Sequence, residues 1–385
     1  MRMEVKPEVF RWLRVSSGWS IEDVSKRLKT SVEVVCAIES GERPATLRQL
    51  KDLSLAYKHP IASFFLSEPI EEPPLPKDYR MLPERKDIFD RKTIYAIKRA
   101  RNLQEIGAEL SKNIDYAIQP RVERTTAQEK PDVLAAKYRD RFGLTEERQR
   151  GYKNPYELFN DLRDVFEDMN ILVFQFPMPV EDARGFALTD KTPNVIVVNS
   201  KDGIEARLFS LMHEFGHILL GETVIDLPDI SIRYRDSIEQ WCNEFASTFL
   251  LPRDLAKKIF KSEERRLTDK KTLNSLSYRY KVSKAMLLYN MLKLNFITRQ
   301  EYEDTLDRYK PKESEPKVEE EGEGEEEKKG GGIPADRRCL SELGIKFVSI
   351  VANNYDRNYI TYTDVLTYLS IKSRNFDKIL EHARK

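Results

Sequence analysis

The stretch Leu211-Met212-His213-Glu214-Phe215-Gly216-His217-Ile218-Leu219 decides how this chain is read. It holds two of the four histidines of a 385-residue protein, four residues apart, with a glutamate directly after the first. On a helix, residues i and i+4 share a face, so both imidazoles can converge on one metal ion. Glu214 lies about 100° further round, near enough to a metal-bound water to take its proton and badly placed as a ligand. Leu208, Leu211, Phe215, Ile218 and Leu219 would suit any buried helix. A buried carboxylate, however, needs a partner or a task to offset its desolvation. The spacing therefore points to a metal ion and a carboxylate that activate water.

Catalytic zinc usually keeps three protein ligands and one water, so a further donor must come from elsewhere in the chain. Ser237 to Pro252 supplies the best source. Ile238, Trp241, Cys242, Phe245, Phe249 and Leu250 recur at helical spacing, and Pro252 helps to end the helix. Glu239 and Asn243 share one face of it, four residues apart. A carboxylate at Glu239 can ligate while the side chain one turn later orients a ligating imidazole through its other ring nitrogen. Glu239 is the preferred third ligand. Glu244 and Glu222 compete with it, Glu222 lying just beyond Gly221, the expected C-cap of the histidine helix. Cys242 is a conceivable soft ligand, but periodicity turns it toward the core.

Together, His213-Glu214-Phe215-Gly216-His217 and Glu239-x-x-Cys242-Asn243-x-Phe245-Ala246-x-x-Phe249-Leu250-Leu251-Pro252 resemble the ImmA/IrrE family of metallopeptidases. The upstream stretches Asn170–Phe174, Arg184–Leu188 and Asn194–Asn199 also fit that family, and the resemblance covers roughly residues 126 to 255. It implies a compact zincin domain with a thermolysin-like, gluzincin ligand set. By this resemblance His213, His217 and Glu239 would hold one catalytic zinc ion, Glu214 would be the general base, and Asn243 would stand behind the ligands. Cys242 departs from the family's usual alanine, a small and apolar exchange. The resemblance further implies limited proteolysis of a transcriptional repressor, often one with its own Xre-type domain, in response to stress or mobile-element signals.

The upstream residues agree with that reading on their own terms. Ile171 to Phe176 and Val195 to Val198 are short β-rich apolar runs, and Thr192-Pro193-Asn194 supplies turn chemistry between Gly185–Leu188 and the second run. They predict a small, mostly antiparallel sheet packed on the active-site helix. An edge strand of such a sheet can hold an extended peptide, though the sequence does not tell which strand is the edge.

Residues 1–68 form a different unit. Lys6–Val15, Ser20–Leu28, Val32–Glu39 and Leu47–Tyr57 read as four short capped helices. Ser20 to Leu28 followed by Ile38 to Pro44 resembles the helix-turn-helix of Xre/Cro-type repressors, whose second motif helix enters the major groove. The matching positions are Ser31, Val32, Glu33, Val34, Cys36 and Ala37, which are poor base readers. Residues 1 to 70 carry eleven Lys/Arg against nine Asp/Glu, a surplus of two. That is a faint footprint for DNA, and a module for protein contact or dimerisation is the alternative.

Residues 69–125 read as a strap stiffened by Pro69, Pro73, Pro74 and Pro76 and a long helix over Asp90–Asn113. The basic run Arg91-Lys92, Lys98-Arg99 and Arg101 on that helix reads as a solvated face, in preference to a nucleic-acid contact. The peptidase-like stretch spans 126–310. It begins with helices from Pro131 to Phe142, stopped by Gly143, and from Asn154 to Met169. After Pro252 come helices at Asp254–Phe260, Asp269–Tyr280, Ser283–Leu294 and Thr298–Tyr309; the pair 269–294 looks like a second small helix-turn-helix. Residues 311–337 are an acidic, glycine-rich linker with Glu319-Glu320-Glu321 and Gly330-Gly331-Gly332 and almost nothing to bury. Residues 338–385 read as a small helical module. The expected class is α+β multidomain.

A net charge of +1 makes the chain as a whole no polyelectrolyte binder. Cys36, Cys242 and Cys339 fall in separate modules and suggest no disulfide framework. No apolar signal core and no bilayer-length run is present, so the cytoplasm is the expected location. Arg233, Tyr234 or Arg235, between the two motif helices, would be candidates to stabilise an oxyanion. Expected partners are a protein substrate of the repressor type, DNA through residues 31–37, and a second copy of the chain. The competing class of function is a transcriptional regulator or antitoxin-like binder that uses the peptidase fold as a sensor.

Overall fold

In the computed structural model, which describes residues 2–70, 89–116, 118–221, 224–226, 237–263, 266–309 and 334–384, the chain forms two units. The proline strap at 73–76, Glu222, Arg233, Tyr234, Arg235 and the acidic run up to 333 lie outside the described residues. Among the described residues no helix is long and apolar enough to cross a membrane. The three cysteines are free.

The first unit holds residues 2–70, 89–99 and 177–182. Strand β1 (Arg2–Met3) pairs antiparallel with β2 (Ala45–Thr46) around helices α1 (Pro7–Ser16), α2 (Ile21–Leu28), α3 (Val32–Glu39) and α4 (Leu47–Tyr57). Ser20 and Asp23 cap α2 reciprocally, and Thr46 and Gln49 do the same for α4, which satisfies backbone donors that a helix start leaves open. Lys29 takes the left-handed conformation that turns α2 into α3. Phe10, Leu13, Val24, Val35, Ile38, Leu50, Leu53 and Phe64 fill the centre. The Arg14 guanidinium forks onto Glu39 at 2.8 and 2.9 Å, tying α1 to α3. The two-residue ladder is an addition to the all-helical expectation.

Helix α5 (Arg91–Asn113) belongs to this unit as far as Arg99. Its basic run is not simply solvated. The Arg91 guanidinium lies 4.3 Å over the Trp19 ring, and Arg101 is buried, donating to Asp190 at 2.6 Å within the second unit.

The second unit opens with α6 (Pro131–Arg141), α7 (Glu146–Gly151) and α8 (Pro155–Asp168). Then β3 (Ile171–Phe176), β4 (Gly185–Leu188) and β5 (Asn194–Asn199) lead into α9 (Ile204–Leu220), β6 (Val224–Asp226) and α10 (Ser237–Leu250). The sheet order is β3-β5-β4-β6. β3 and β5 run parallel, whereas β4 is antiparallel to both β5 and β6, so two of the three pairings are antiparallel. Every residue of β3, β4 and β5 is buried, which explains why their sequences are continuous apolar runs rather than alternating ones. Helix α9 lies on β4 and β5.

Helices α11 (Arg253–Ser262), α12 (Lys270–Tyr280), α13 (Lys284–Lys293) and α14 (Arg299–Tyr309) follow. The segment expected as a separate C-terminal module, α15 (Ala335–Asp356), α16 (Tyr362–Tyr368) and α17 (Phe376–Ala383), is part of the same unit. Helix α15 lies along β3 and α8 and is broken at Gly344, at φ +78°. There a buried ion pair on α8 receives it. Arg163 donates to Glu167 at 3.1 Å, to the Ser341 carbonyl at 2.7 Å and to the Val173 carbonyl, while Glu167 accepts the Lys346 amide at 2.8 Å. A Cβ on residue 344 would collide with the Glu167 carboxylate, so only glycine fits this close approach.

Candidate metal centre

Helix α9 is built to be buried from its middle to its end. Residues 210 to 219 are all inaccessible, and Gly221, left-handed at φ +77°, closes the helix by donating to the His217 and Ile218 carbonyls. Within so apolar a run, His213, Glu214 and His217 are fully buried polar groups. Helix α10 approaches at Gly216. A Cβ there would stand 3.1 Å from the Cys242 sulfur and 3.3 Å from its Cβ, so the glycine inside the histidine motif is what admits the second helix. Rings on both helices secure the approach: Phe215 lies 4.6 Å from Phe166 and 5.0 Å from Tyr138, and the Trp241 indole donates to the Glu129 carbonyl at 2.7 Å.

This packing gathers three donor atoms at one point. His213 Nε2 and His217 Nε2 are 3.1 Å apart; Glu239 Oε2 is 3.3 Å from the first and Oε1 is 3.1 Å from the second. Ligands at about 2.0–2.1 Å from a tetrahedral zinc ion would be roughly 3.3–3.4 Å from one another, so the observed triangle is close to the required size. All three residues are buried and form a group able to hold a metal ion. The surroundings suit a cation. Burial alone would push the Glu239 carboxyl up, but the facing imidazoles hold it well below the usual carboxylate range. Phe209 stacks beside His213, with ring centroids 6.2 Å apart.

Glu214 lies on the sheet side of α9. The ideal Cβ position of Gly185, the first residue of β4, is 3.1 Å from its Oε1 and 3.3 Å from its Cγ. A side chain on β4 at that point would meet the Val197 carbonyl, 2.8 Å away, and crowd the carboxylate. This contact was legible only as a glycine inside a strand-like run, the usual mark of a close backbone approach.

The competing ligands separate cleanly where they are described. Glu244 is half-buried, pairs with Arg253 and with Lys293, the latter at 3.1 Å, and is no part of the cluster. Cys242 is turned into the interface with α9, as its periodicity predicts. Asn243 is buried one turn beyond Glu239, but among the described residues its side chain hydrogen-bonds to neither imidazole.

The candidate DNA-reading positions lie on α3. Ser31, Glu33 and Cys36 are exposed, Val32, Val34 and Ala37 are half-buried, and no lysine or arginine stands on that helix. The Ser31 hydroxyl lowers the Glu33 carboxyl's proton affinity, which keeps an anion at the helix start.

Residues 166–292 match a family model described as Peptidase_M78, the IrrE N-terminal-like domain. The match spans both motif helices and the strands before them, and it supports a metallopeptidase of that kind. No curated protein matches this chain.

Proposed function

We propose that this chain is a zinc-dependent metallo-endopeptidase of the ImmA/IrrE type that cuts a protein substrate, a transcriptional repressor being the favoured class. The convergence of His213, His217 and Glu239, with Glu214 on the same helix turn, carries this reading. Those three residues would hold the metal. Zinc, when bound, supplies Lewis acidity that polarises a carbonyl and makes water nucleophilic near neutral pH. Glu214 then takes the proton of the attacking water and passes it to the leaving amine. Its seat against Gly185 holds the carboxylate in a dry environment, where a proton transfer is not diluted by bulk water. Asn243 would steady the ligands once the metal draws the imidazoles into place.

Residues 1–68 would serve as an Xre/Cro-like helix-turn-helix module, locating the substrate through DNA or through pairing with a related domain. Ser31, Val32, Glu33, Cys36 and Ala37 would be its contact face, and a homodimer would place two such faces together. The exposed Glu33 and the lack of cations on α3 favour the protein-contact role. A regulator that uses the peptidase fold only as a sensor is the second reading.

Incubation of the zinc-loaded chain with candidate Xre-type repressors separates the two. Cleavage by the native chain, about 10²–10⁴-fold slower in Glu214→Gln at unchanged zinc content, is the expected result. Equal cleavage by Glu214→Gln would remove that residue from the chemistry. Repressor binding without cleavage would favour the sensor.

A further inference from the structure

Between Arg253 and Lys293 the chain carries twelve Lys/Arg against four Asp/Glu, a surplus of eight in a protein whose net charge is +1. Part of this charge is committed. Arg253 and Lys293 pair with Glu244, and Lys281 is buried. Lys257, Lys258, Lys261, Arg266, Lys270, Lys271 and Arg279 are different: all are exposed and have no ion-pair partner among the described residues. On α11 the buried side is Ala256, Ile259 and Phe260, and Lys257, Lys258 and Lys261 share the opposite face. On α12 the buried side is Leu273, Leu276 and Tyr280, and the outer face alternates Lys271, Ser275, Tyr278 and Arg279. Tyr280 of α12 donates to Glu146 of α7 at 3.2 Å, and Arg150 pairs with the same glutamate at 3.5 Å, so the cations of α7 and α12 stand side by side. Glu146 and Glu147 offset only part of that charge.

We infer that the outer faces of α11 and α12 form a binding surface for the phosphate backbone of duplex DNA. The cations spread along two helices of ten and eleven residues, each about 15 Å long, rather than converging on one point as they would for a single phosphate. At 3.4 Å per phosphate along each strand, such a length meets several phosphates. Ser275, exposed on the same face, adds a hydroxyl donor of the kind that commonly accompanies lysine and arginine at phosphates. Base reading has no equipment here. The second helix of the pair, α13, is seated in the core by Met286, Leu287, Leu288 and Met291, and its Asn290 is bonded to Ser247. The binding is therefore sequence-independent, and it belongs to this unit rather than to α3. It stands apart from the peptidase reading and does not need it.

Fluorescence anisotropy of a labelled 30-base-pair duplex with the full chain, titrated between 50 and 300 mM salt, tests this. Five phosphate contacts would give a log–log salt slope of about −4.5, with micromolar affinity at the low-salt end. Lys257→Ala with Lys258→Ala and Lys261→Ala should flatten the slope by nearly 3 and weaken binding at least tenfold at 100 mM salt, at unchanged helix content. Lys271→Ala with Arg279→Ala should remove nearly 2 from the slope, and Lys26→Ala with Lys29→Ala on the first unit should change little. No binding at 50 mM salt, native-like binding by both α11 and α12 variants, or equal affinity for polyglutamate and duplex would each overturn the inference.

Discussion

Arg163 and Glu167 are as deeply buried as His213, His217 and Glu239, yet the two groups answer their burial in different ways. On α8 each charge faces its complement. The guanidinium meets a carboxylate and three carbonyls, and the carboxylate meets a guanidinium and an amide. That set is complete within the protein, and its product is the seating of α15. On α9 and α10 two imidazole nitrogens and a carboxylate converge at 3.1–3.3 Å. Such a set calls for a proton or a cation at its centre. Buried charge on α8 is thus closed by partners of opposite sign, whereas on α9 and α10 it converges as a group that could hold a metal ion.

This contrast is breakable by mutation. Glu239→Ala should lower bound zinc from one ion per chain to near none and leave the fold in place, whereas Arg163→Met should leave zinc bound. The second change strands Glu167 without its cation and should cost about 3–5 kcal/mol of stability, read from chemical denaturation with metal content followed in parallel. If Arg163→Met released the metal as readily as Glu239→Ala, the two clusters would not be separate devices.

A smaller effect lies at the helix contact that builds the metal site. Gly216→Ala gains about 1 kcal/mol of helix propensity but places a methyl 3.1 Å from the Cys242 sulfur. Zinc affinity should fall about tenfold, and Cys242→Ala in the same chain should restore most of it, a coupling measurable by competition with a zinc chelator. Additive effects of the two substitutions would show that the contact does not set the ligand triangle.

The smallest effect is on pH dependence. Burial pushes the Glu167 carboxyl up to about 7, against the opposing pull of Arg163 and the Lys346 amide. The folded chain therefore holds this proton more tightly than the unfolded chain does. Its contribution to stability is present below the ordinary value of 4.5 and is lost as the pH rises through 7. Melting curves of the native chain should decline between pH 5 and pH 7, and Glu167→Gln should flatten that decline. An unchanged slope in the variant would assign the decline to other groups.

The candidate metal cluster was legible because it rests on local pattern. The spacing of His213 and His217, the burial implied by Leu211 and Ile218, and the position of Glu239 on its own helix all reduce to helical periodicity. The helix ends at Gly143 and Gly221 were legible for the same reason, since a left-handed residue there favours glycine. The seat of α15 was not. Arg163 and Gly344 look like an ordinary surface arginine and a helix-breaking glycine until the fold brings them together across 180 intervening positions of sequence. Nor was β6 visible as a strand, because three residues carry no period. The cations of α11 and α12 could be counted in the sequence, but only the fold distinguishes them from Arg101, whose charge is spent on Asp190.

Zinc stoichiometry and metal-edge X-ray absorption of the purified chain decide whether His213, His217 and Glu239 hold a metal ion. One zinc per chain is expected, in a shell of two imidazole nitrogens and carboxylate and water oxygens at about 2.0–2.1 Å. A chain that takes up no zinc at micromolar free metal, or one whose first shell contains sulfur or lacks imidazole, would contradict it.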